Sequence, residues 1–311
     1  MKALLYNKKA SPHQLIYCDT DKPTPSDDEV LVKIIAVSLN AADYRSMKMR
    51  IIPKKKIFGA DIAGCVESVG KNIRQFKPGD DVLGDLADYG FGGLAEYALA
   101  PERLIVHKPA ALSFENAAAL PMAAVTALQA LRDKGNIQKG HEVLIIGCGG
   151  GVGTYAVQLA KYFGATVTGV CSAHHVEQTY SLGADVVIDY TKEDFTKTKK
   201  WYDIILAVNG NYSVLACRKI LKPNGIYVAV GGALSQISKS IFFGWTMSLG
   251  SKKIRFLVAK ANQKDLEFIV KLAENEVIKP VIDRYCSLDQ AAEAMSYARQ
   301  GHSKGKVVIK V

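Results

Sequence analysis

The stretch VLIIGCGGGVGTYAVQLAK, residues 143–161, decides the fold, because five of the seven positions from Gly147 to Gly153 are glycine. An apolar run precedes these glycines and a helix-like pattern follows them. Glycine costs roughly 0.5–1 kcal/mol relative to alanine inside regular structure. So many glycines therefore indicate a chain that turns sharply after a strand and keeps its backbone bare where a helix begins.

Beyond this stretch, apolar strands alternate with helical segments. The predicted strands are EVLIIG (142–147), TVTGVCS (166–172), DVVIDY (185–190), YDIILAV (202–208) and GIYVAVGG (225–232). Such alternation is typical of a parallel sheet with helices on both faces. The predicted fold class is therefore α/β, with a doubly wound parallel sheet.

The regions on either side differ from this block. Before it, β-branched residues predict strands at 29–39, 61–70 and 95–109, and an Ala- and Leu-rich stretch predicts one helix over 114–135. After it, the pattern predicts a helix (264–275), a strand (277–283), a second helix (288–299) and a closing strand, GKVVIKV.

Within an α/β block, the glycine pattern predicts a binding site for a dinucleotide cofactor. Gly147 and Gly149 can adopt turn conformations that other residues avoid. The unpaired N–H groups and the positive dipole end of the following helix favour a pyrophosphate, which a bare backbone lets approach. The predicted contacts are Gly147, Gly150, Gly151, Val152 and Gly153. The alternative is a tight strand–helix turn that binds no ligand.

The end of the next strand indicates which dinucleotide binds. An NAD site places Asp or Glu about 20 residues beyond the glycines, to bind the ribose hydroxyls. Here the strand ends in Cys171 and Ser172, so no acid repels a 2′-phosphate. Ser172 and His175 therefore favour NADPH. His174 and His175 are equally compatible with a polar helix start, and a histidine is mostly neutral at physiological pH.

The length and composition of the chain are typical of a soluble globular protein with two domains, and they argue against a membrane protein or a disulfide-rich protein. A chain of 311 residues predicts two domains, and 49% hydrophobic with 23% charged residues is typical of soluble globular proteins. No apolar run is long enough to span a bilayer. The six cysteines form no C-x-x-C pair, which indicates reduced thiols and a cytoplasmic location. The net charge of +10 suits an anionic cofactor as well as nucleic acid.

Further motifs resemble the medium-chain dehydrogenases/reductases, in the zinc-free quinone oxidoreductase (zeta-crystallin-like) branch. They extend along essentially the whole chain and are SLNAADYR (38–45), FGADIAGCVESVG (58–70), FKPGDDVLG (76–84), AALPMAAVTALQAL (118–131), SLGADVVIDY (181–190), LKPNGIYVAVGG (221–232) and GHSKGKVVI (301–309). The resemblance implies a GroES-like β-barrel domain (1–118), a Rossmann domain (119–255) and a C-terminal segment (256–311) that completes the barrel. It also implies that cofactor and substrate meet in the cleft between the domains.

The resemblance further implies a homodimer, formed through an edge of the Rossmann sheet. The predicted edge is near GIYVAVGG and the following segment, ISKSIFFGWTMSLGS (237–251). This second segment contains three large aromatic residues in a Ser- and Gly-rich setting. An interface, a part of the acceptor pocket and plain core packing are all compatible with it.

Two positions indicate a site without metal. The zinc-containing branch of the superfamily has Cys and His ligands where this chain has Asn40 and Ala60, and Asp61 alone cannot replace them. Without a metal, no strong Lewis acid polarises an alcohol or carbonyl oxygen. Reduction of an electron-poor quinone or enone by direct hydride transfer is then favoured over alcohol oxidation.

The resemblance also implies roles for individual residues. Asn40, Asp43 and Tyr44 are the expected catalytic residues, and Tyr44 is the expected proton donor unless water takes that part. Asn40 and Thr126 are expected near the nicotinamide. The other expected cofactor contacts are His175 and Tyr190 at the 2′-phosphate, and Val208, Asn209, Val230, Gly231, Gly232, Phe256, Leu257, Val258 and Lys304 elsewhere along the dinucleotide. Ordinary alternatives are helix capping for the residues of SLNAADYR and a buried strand for 256–258.

The sequence thus predicts an NADPH-dependent reductase of quinones or α,β-unsaturated carbonyls. Two other functions stay open. One is an alcohol or aldehyde dehydrogenase of the same superfamily, against which the missing zinc ligands count. The other is an NADPH-binding protein that binds RNA, which only the net charge supports, since the chain contains no aromatic–basic motif of a known RNA-binding kind.

Overall fold

Short strands build the N-terminal region, as its β-branched residues predict. The computed structural model describes residues 1–7, 15–49, 53, 55–208, 212–230 and 251–311. The first elements are β1 (Lys2–Tyr6), β2 (Leu15–Asp19), β3 (Glu29–Ser38), α1 (Ala41–Lys48), β4 (Asp61–Val69), β5 (Asp81–Asp85), β6 (Tyr97–Pro101) and β7 (Ile105–His107). The strand predicted over 95–109 is therefore two strands. A 3₁₀ turn at Glu102–Leu104 separates them, directly after Pro101, which has no N–H to continue the ladder.

The single helix predicted over 114–135 is also divided. The structure has α2 (Phe114–Ala118), α3 (Pro121–Gln129) and a π-helical turn over Ala130–Lys134. Pro121 causes the break, because proline is accommodated at the first position of a helix but not in its interior. Ser113 caps α2 by accepting a hydrogen bond from the Asn116 N–H at 3.2 Å.

The alternating block that follows is confirmed. Its elements are β8 (Glu142–Ile146), α4 (Gly151–Tyr162), β9 (Thr166–Cys171), α5 (Val176–Ser181), β10 (Val186–Asp189), β11 (Tyr202–Ala207), α6 (Val214–Lys219), β12 (Leu221–Val230) and β13 (Lys253–Leu257). The strands form one sheet in the order β10-β9-β8-β11-β12-β13, with every pair parallel. Because β8 lies in the middle, four of its five residues are buried.

The predicted edge of this sheet needs a correction. The strand containing IYVAV is β12, which pairs with β11 on one side and β13 on the other. Within the described residues, the edge strand on this side of the sheet is instead β13, and β10 is the edge strand on the other side. The aromatic segment expected beside it lies almost entirely outside the described residues.

The C-terminal elements are α7 (Gln263–Glu274), β14 (Ile282–Ser287), α8 (Ala291–Arg299) and β15 (Lys306–Lys310). The prediction of a strand over 277–283 was wrong, because β14 begins only at Ile282. The Val277 N–H donates back to the Leu272 carbonyl at 2.9 Å, and Ile278 is buried against the end of α7. Pro280, which lacks an N–H, then delays pairing.

The two ends of the chain meet in one unit. It comprises Met1–Val125 and Lys260–Val311, whereas Thr126–Ala259 form the other unit. In the first unit β15 pairs antiparallel with β3 and parallel with β14, so the C-terminal segment completes the N-terminal sheet, as expected. That sheet has the order β14-β15-β3-β4-β5-β7, with β6 also paired to β3. Among the described residues, no helix is long and apolar enough to cross a membrane.

Candidate active site

The glycine turn joins β8 to α4 in the second unit. Gly147 has φ +83°, a left-handed conformation that favours glycine, and its N–H donates to the Val170 carbonyl at 2.9 Å. Gly153 lies where α4 crosses the end of β8. A Cβ there would overlap the Gly147 carbonyl oxygen and would lie 2.7 Å from the Cys148 Cα. This glycine is therefore required by the close approach of the helix to the strand.

The outward side of the turn fits a pyrophosphate. Gly150 is the N-cap of α4 in an extended conformation (φ −87°, ψ 178°), and a Cβ on it would meet no atom closer than the Gly147 oxygen at 3.8 Å. The first-turn N–H groups of a helix have no partner within the helix, and this helix carries no acidic residue in its first turn. Gly151 and Val152 therefore present bare backbone donors at the positive end of the helix dipole, whereas the Gly150 N–H donates to the Gly147 carbonyl at 3.3 Å.

The ends of β9 and β10 lie side by side, which brings the residues expected at the 2′-phosphate together. Cys171 pairs in register with Asp189, and the Tyr190 N–H donates to the Cys171 carbonyl at 3.0 Å. Ser172 is partly exposed at this edge, and Tyr190 is about half exposed. His175 instead packs its ring against Gly149, where a Cβ would overlap it.

Asp189 was missed as part of this edge. Its Oδ1 accepts from the Thr191 N–H at 3.0 Å and from the Thr191 hydroxyl at 2.8 Å. These bonds hold the pKa of Asp189 below its usual range, with Lys192 and His174 contributing. The Lys192 ammonium is 3.9 Å from the second carboxylate oxygen. The Asp189 carboxylate therefore lies beside the Lys192 ammonium and is further stabilised by His174.

Of the remaining expected cofactor contacts, Val208, Val230 and Leu257 lie together at the carboxyl ends of the neighbouring parallel strands β11, β12 and β13, whereas Thr126 and Lys304 belong to other elements. Thr126 is buried in α3, and the Val208 N–H extends the sheet by donating to the Ile146 carbonyl at 3.0 Å. Val230 ends β12. Phe256 and Leu257 belong to β13, and Val258 just after it is 70% exposed. Lys304 is exposed in the first unit, before β15. Asn209, Gly231 and Gly232 lie outside the described residues.

Asn40 and Asp43 together cap the start of α1. The Asn40 N–H donates to Asp43 Oδ2 at 2.8 Å, and the Gly59 N–H donates to Asp43 Oδ1 at 3.0 Å. Asp43 is fully buried, and this burial raises its pKa to about 7 in spite of the two hydrogen bonds. Asp43 therefore organises the backbone around Asn40.

The Asn40 side chain is held by residues from three strands. Its Nδ2 donates to Asp61 Oδ2 at 2.8 Å and to the Ser38 carbonyl at 3.3 Å. Its Oδ1 accepts from the Lys306 ammonium at 2.5 Å, and that ammonium is 3.6 Å from Asp61 Oδ2. The Met122 N–H donates to the other oxygen of Asp61 at 3.0 Å.

These contacts form a buried charge cluster, defined as Asp43, Asp61, Asp85 and Lys306. Asp61 and Asp85 are register partners on β4 and β5, and no member is more than 9% exposed. Burial raises the pKa of Asp61, and burial with the neighbouring Asp61 raises the pKa of Asp85 to about 8. Burial lowers the pKa of Lys306, against the attraction of the carboxylates. Three carboxyl groups face one ammonium, so the cluster retains a proton at neutral pH.

Tyr44 lies on α1 and directly follows Asp43 in the sequence. It is partly buried and packs against the apolar core of the first unit. Burial raises the pKa of Tyr44, so its hydroxyl keeps its proton at physiological pH. Tyr44 is therefore a competent hydrogen-bond donor.

Sequence reasoning missed Lys306 and Asp85 and considered Asp61 only as a lone zinc ligand. Lys306 and Lys310 flank the same apolar run in β15, but Lys306 is buried whereas Lys310 is exposed in an ion pair with Glu115. The sequence did contain one signal for this cluster. An acid starts β4 and another ends β5, and antiparallel pairing of the two strands brings these acids together.

The donor set does not fit zinc. Ala60 has no ligand atom, and the amide oxygen of Asn40 is bound to an ammonium, which repels a cation. In the described part of the chain, no three His, Cys, Asp or Glu side chains are grouped so that they could hold a metal ion. A zinc-free site stays a prediction, carried by the chemistry of these residues.

Comparison with known proteins agrees with this architecture. Residues 26–110 match the alcohol dehydrogenase GroES-like domain, and residues 182–309 match a family described as zinc-binding dehydrogenase. The chloroplast envelope quinone oxidoreductase homolog of Arabidopsis thaliana is 35% identical over 331 aligned residues, covering 99% of this chain and 98% of the relative. The chain is a medium-chain dehydrogenase/reductase. It is accordingly an oxidoreductase, of a family that uses NAD(P).

Two further members of the family resemble this medium-chain dehydrogenase/reductase. The NADPH-dependent alkenal/one oxidoreductase of Arabidopsis thaliana chloroplasts is 32% identical, covering 92% of this chain and 73% of the relative. The solved quinone oxidoreductase of Coxiella burnetii is 30% identical with a TM-score of 0.89, covering 100% of this chain and 99% of the other. The fold expected from the sequence is therefore confirmed.

Proposed function

We propose that the protein is an NADPH-dependent reductase of quinones or α,β-unsaturated carbonyls that works without a metal. The observation that carries the proposal is a glycine turn at the start of α4, next to the end of β9, where Ser172 stands in place of an acid. The names of the relatives support it, since they are a quinone oxidoreductase homolog, an alkenal/one oxidoreductase and a quinone oxidoreductase.

The residues of the second unit fit the cofactor. The N–H groups of Gly151 and Val152 would bind the pyrophosphate, and Ser172 with Tyr190 would bind the 2′-phosphate. When bound, NADPH supplies a hydride from its nicotinamide ring. Asp189 does not oppose the 2′-phosphate strongly, because Thr191 and Lys192 already engage its carboxylate.

The residues of the first unit suit an electron-poor acceptor. A quinone or enone needs no Lewis acid, but it needs a proton donor for the oxygen or carbon that gains charge. The Tyr44 hydroxyl is protonated at physiological pH and is the proposed donor. Asp43 fixes the backbone at Asn40 and Gly59, at the start of the helix that carries Tyr44.

We also propose a cytoplasmic homodimer. The six cysteines are free thiols, as expected in a reducing compartment. The β13 edge, in the described part of the Rossmann sheet, is the proposed site of pairing between two copies.

The test is cofactor oxidation by chelator-treated protein. NADPH and NADH are each offered with a quinone, an enone and an aldehyde, and NADP⁺ is offered with a primary alcohol. Metal-independent turnover of NADPH with the quinone or the enone is expected. Turnover confined to the aldehyde and alcohol would overturn the acceptor class. NADPH binding without any turnover would indicate a non-catalytic protein, to be followed by an RNA-binding assay at several salt concentrations.

A further inference from the structure

Two cysteines meet at the glycine turn of the second unit. Cys148 belongs to the turn, and Cys171 ends the neighbouring strand β9. The turn brings them together, because the Cys148 N–H donates to the carbonyl of Val170, the residue before Cys171, at 3.3 Å. Both thiols are free. Cys148 is fully buried, and Cys171 is 3% exposed.

The two sulfur atoms face the same hydroxyl group. Thr179 Oγ1, on α5, lies 3.5 Å from Cys148 Sγ and 3.7 Å from Cys171 Sγ. The space where they meet exists because position 169 has no side chain: a Cβ on Gly169 would lie 2.9 Å from Cys148 Sγ and 2.7 Å from Thr179 Cγ2. The thiols also interact directly, since a hydrogen bond between them lowers the pKa of Cys171 and raises that of Cys148. Two sulfurs in such contact can form a disulfide after a small movement.

Cys171 is the sulfur that reacts first with an oxidant. The thiolate is the nucleophilic form of cysteine, and the hydrogen bond from Cys148 favours the thiolate of Cys171. Cys171 also retains a small exposure that Cys148 lacks. Hydrogen peroxide suits this position, because it is small enough to reach a nearly buried sulfur and it oxidises thiolates to sulfenic acids.

We propose that Cys148 and Cys171 form a redox modification site, at which hydrogen peroxide produces a disulfide that weakens dinucleotide binding. The Cys171 thiolate attacks one peroxide oxygen and the O–O bond breaks. Cys171 becomes a sulfenic acid, and the departing hydroxide takes up the proton that Cys171 lost and leaves as water. The Cys148 sulfur then attacks the sulfenic sulfur, and its proton leaves with the hydroxyl group as a second water. The two sulfurs lose two electrons in total, which the peroxide gains.

The disulfide acts on binding through the backbone of the turn. A disulfide bond is about 2.05 Å long, whereas heavy atoms in non-bonded contact stay about 3.5 Å or more apart. Bond formation therefore displaces Cys148. The start of α4 is in close contact with this residue, since a Cβ on Gly153 would lie 2.7 Å from the Cys148 Cα. The first N–H groups of α4 shift as a result. This effect rests on the proposed pyrophosphate contacts, but formation of the disulfide does not.

Peptide mapping tests formation of the bond. Trypsin releases Cys148 in peptide 140–161 and Cys171 in peptide 162–192, and neither peptide contains another cysteine. Hydrogen peroxide should join these two peptides through a bond that dithiothreitol cleaves. Dimedone should trap Cys171 as a sulfenic acid in Cys148→Ala, whereas Cys148 should stay unmodified in Cys171→Ala. Cys217→Ala, which removes another buried thiol of the same unit, is the matched control and should form the disulfide as the wild type does.

Titration with 2′-phospho-ADP-ribose, after catalase has removed the peroxide, tests the effect on binding. The Kd of the oxidised wild type should be about tenfold higher than that of the reduced protein and should return with dithiothreitol. Cys148→Ala should show the same Kd before and after peroxide. Cys148→Ser, which nearly preserves the size of the side chain, serves the same purpose if the alanine variant does not fold.

Treated protein in which peptides 140–161 and 162–192 stay separate would overturn the inference. So would fully linked protein with an unchanged Kd. Reduced protein that turns over no quinone or enone would instead refute the proposed function and leave this inference standing, because neither assay depends on the acceptor.

Discussion

Replacement of Gly153 by alanine tests the close approach of α4 to β8. The added Cβ would overlap the Gly147 carbonyl oxygen and would lie 2.7 and 2.8 Å from the Cys148 Cα and carbonyl carbon. All three atoms are backbone, so no side chain can rotate away. The helix and the strand must therefore separate by roughly 1 Å to restore ordinary contacts between carbon atoms.

The cost follows from two opposing effects. Overpacking of a well-packed interior costs about 1–3 kcal/mol, and the contact with a rigid backbone favours the upper end. Alanine is preferred over glycine within a helix by about 0.8–1.0 kcal/mol. The expected net loss is about 2 kcal/mol, which corresponds to a decrease in Tm of roughly 4–8 °C. The same movement displaces the first-turn N–H groups of α4, so NADPH affinity should fall about 30-fold.

The assay combines thermal unfolding of the protein without cofactor and fluorescence titration with NADPH. Gly150→Ala is the control for stability, since its Cβ would meet no atom closer than 3.8 Å and its φ of −87° suits alanine. This substitution should cost less than about 1 kcal/mol. If Gly153→Ala unfolds at the wild-type temperature and binds NADPH normally, the helix is not held against the strand as the structure indicates.

Three further predictions concern the cofactor, the buried charges and the proton donor. Ser172→Asp should raise the Kd for NADPH more than tenfold by repelling the 2′-phosphate and leave the Kd for NADH nearly unchanged; Ser181→Asp, on α5, is the control, and equal loss of both cofactors would contradict the reasoning. Burial holds the pKa of Asp85 at about 8, so the stability that its bound proton provides is present below about pH 4 and is lost as the pH rises to about 8, at up to about 1.4 kcal/mol per pH unit. Asp85→Asn needs no such proton, so its Tm should exceed that of the wild type by more at pH 8 than at pH 5; an unchanged difference would show that Asp85 is ionised at both. Tyr44→Phe should reduce kcat with a quinone about 10- to 100-fold with little change in the Kd for NADPH, whereas an unchanged kcat in stopped-flow measurements would assign proton donation to water.

The second unit is the part that the sequence predicts best. Strand, glycine turn and helix are adjacent in the chain, and both the sheet and the turn depend on contacts within one βαβ region. Errors arise where packing against another element decides a local structure. The residues from Val277 contain enough apolar side chains for a strand, but Ile278 is buried against α7 and the strand begins only at Ile282.

The first-unit site depends on contacts that sequence spacing cannot reveal. Lys306 is 266 positions from Asn40, and Asp61 is 21 positions from it. Sequence patterns treat Lys306 and Lys310 alike, as charges that flank an apolar run. Only the antiparallel pairing of β15 with β3 determines that Lys306 is buried against Asn40, while Lys310 contacts Glu115 at the surface.

The same dependence explains why a motif can locate a site and still leave its chemistry open. An asparagine amide alone offers two donors and two acceptor positions, and SLNAADYR contains nothing that chooses among them. The fold makes that choice, because β3 and β4 take the two hydrogens and β15 takes one lone pair. A chain with the same motif but an apolar residue at position 306 would keep the helix cap through Asp43. It would lose the Lys306 contact with the amide oxygen, so one buried lysine near the C-terminus helps to fix the orientation of an asparagine side chain near the N-terminus.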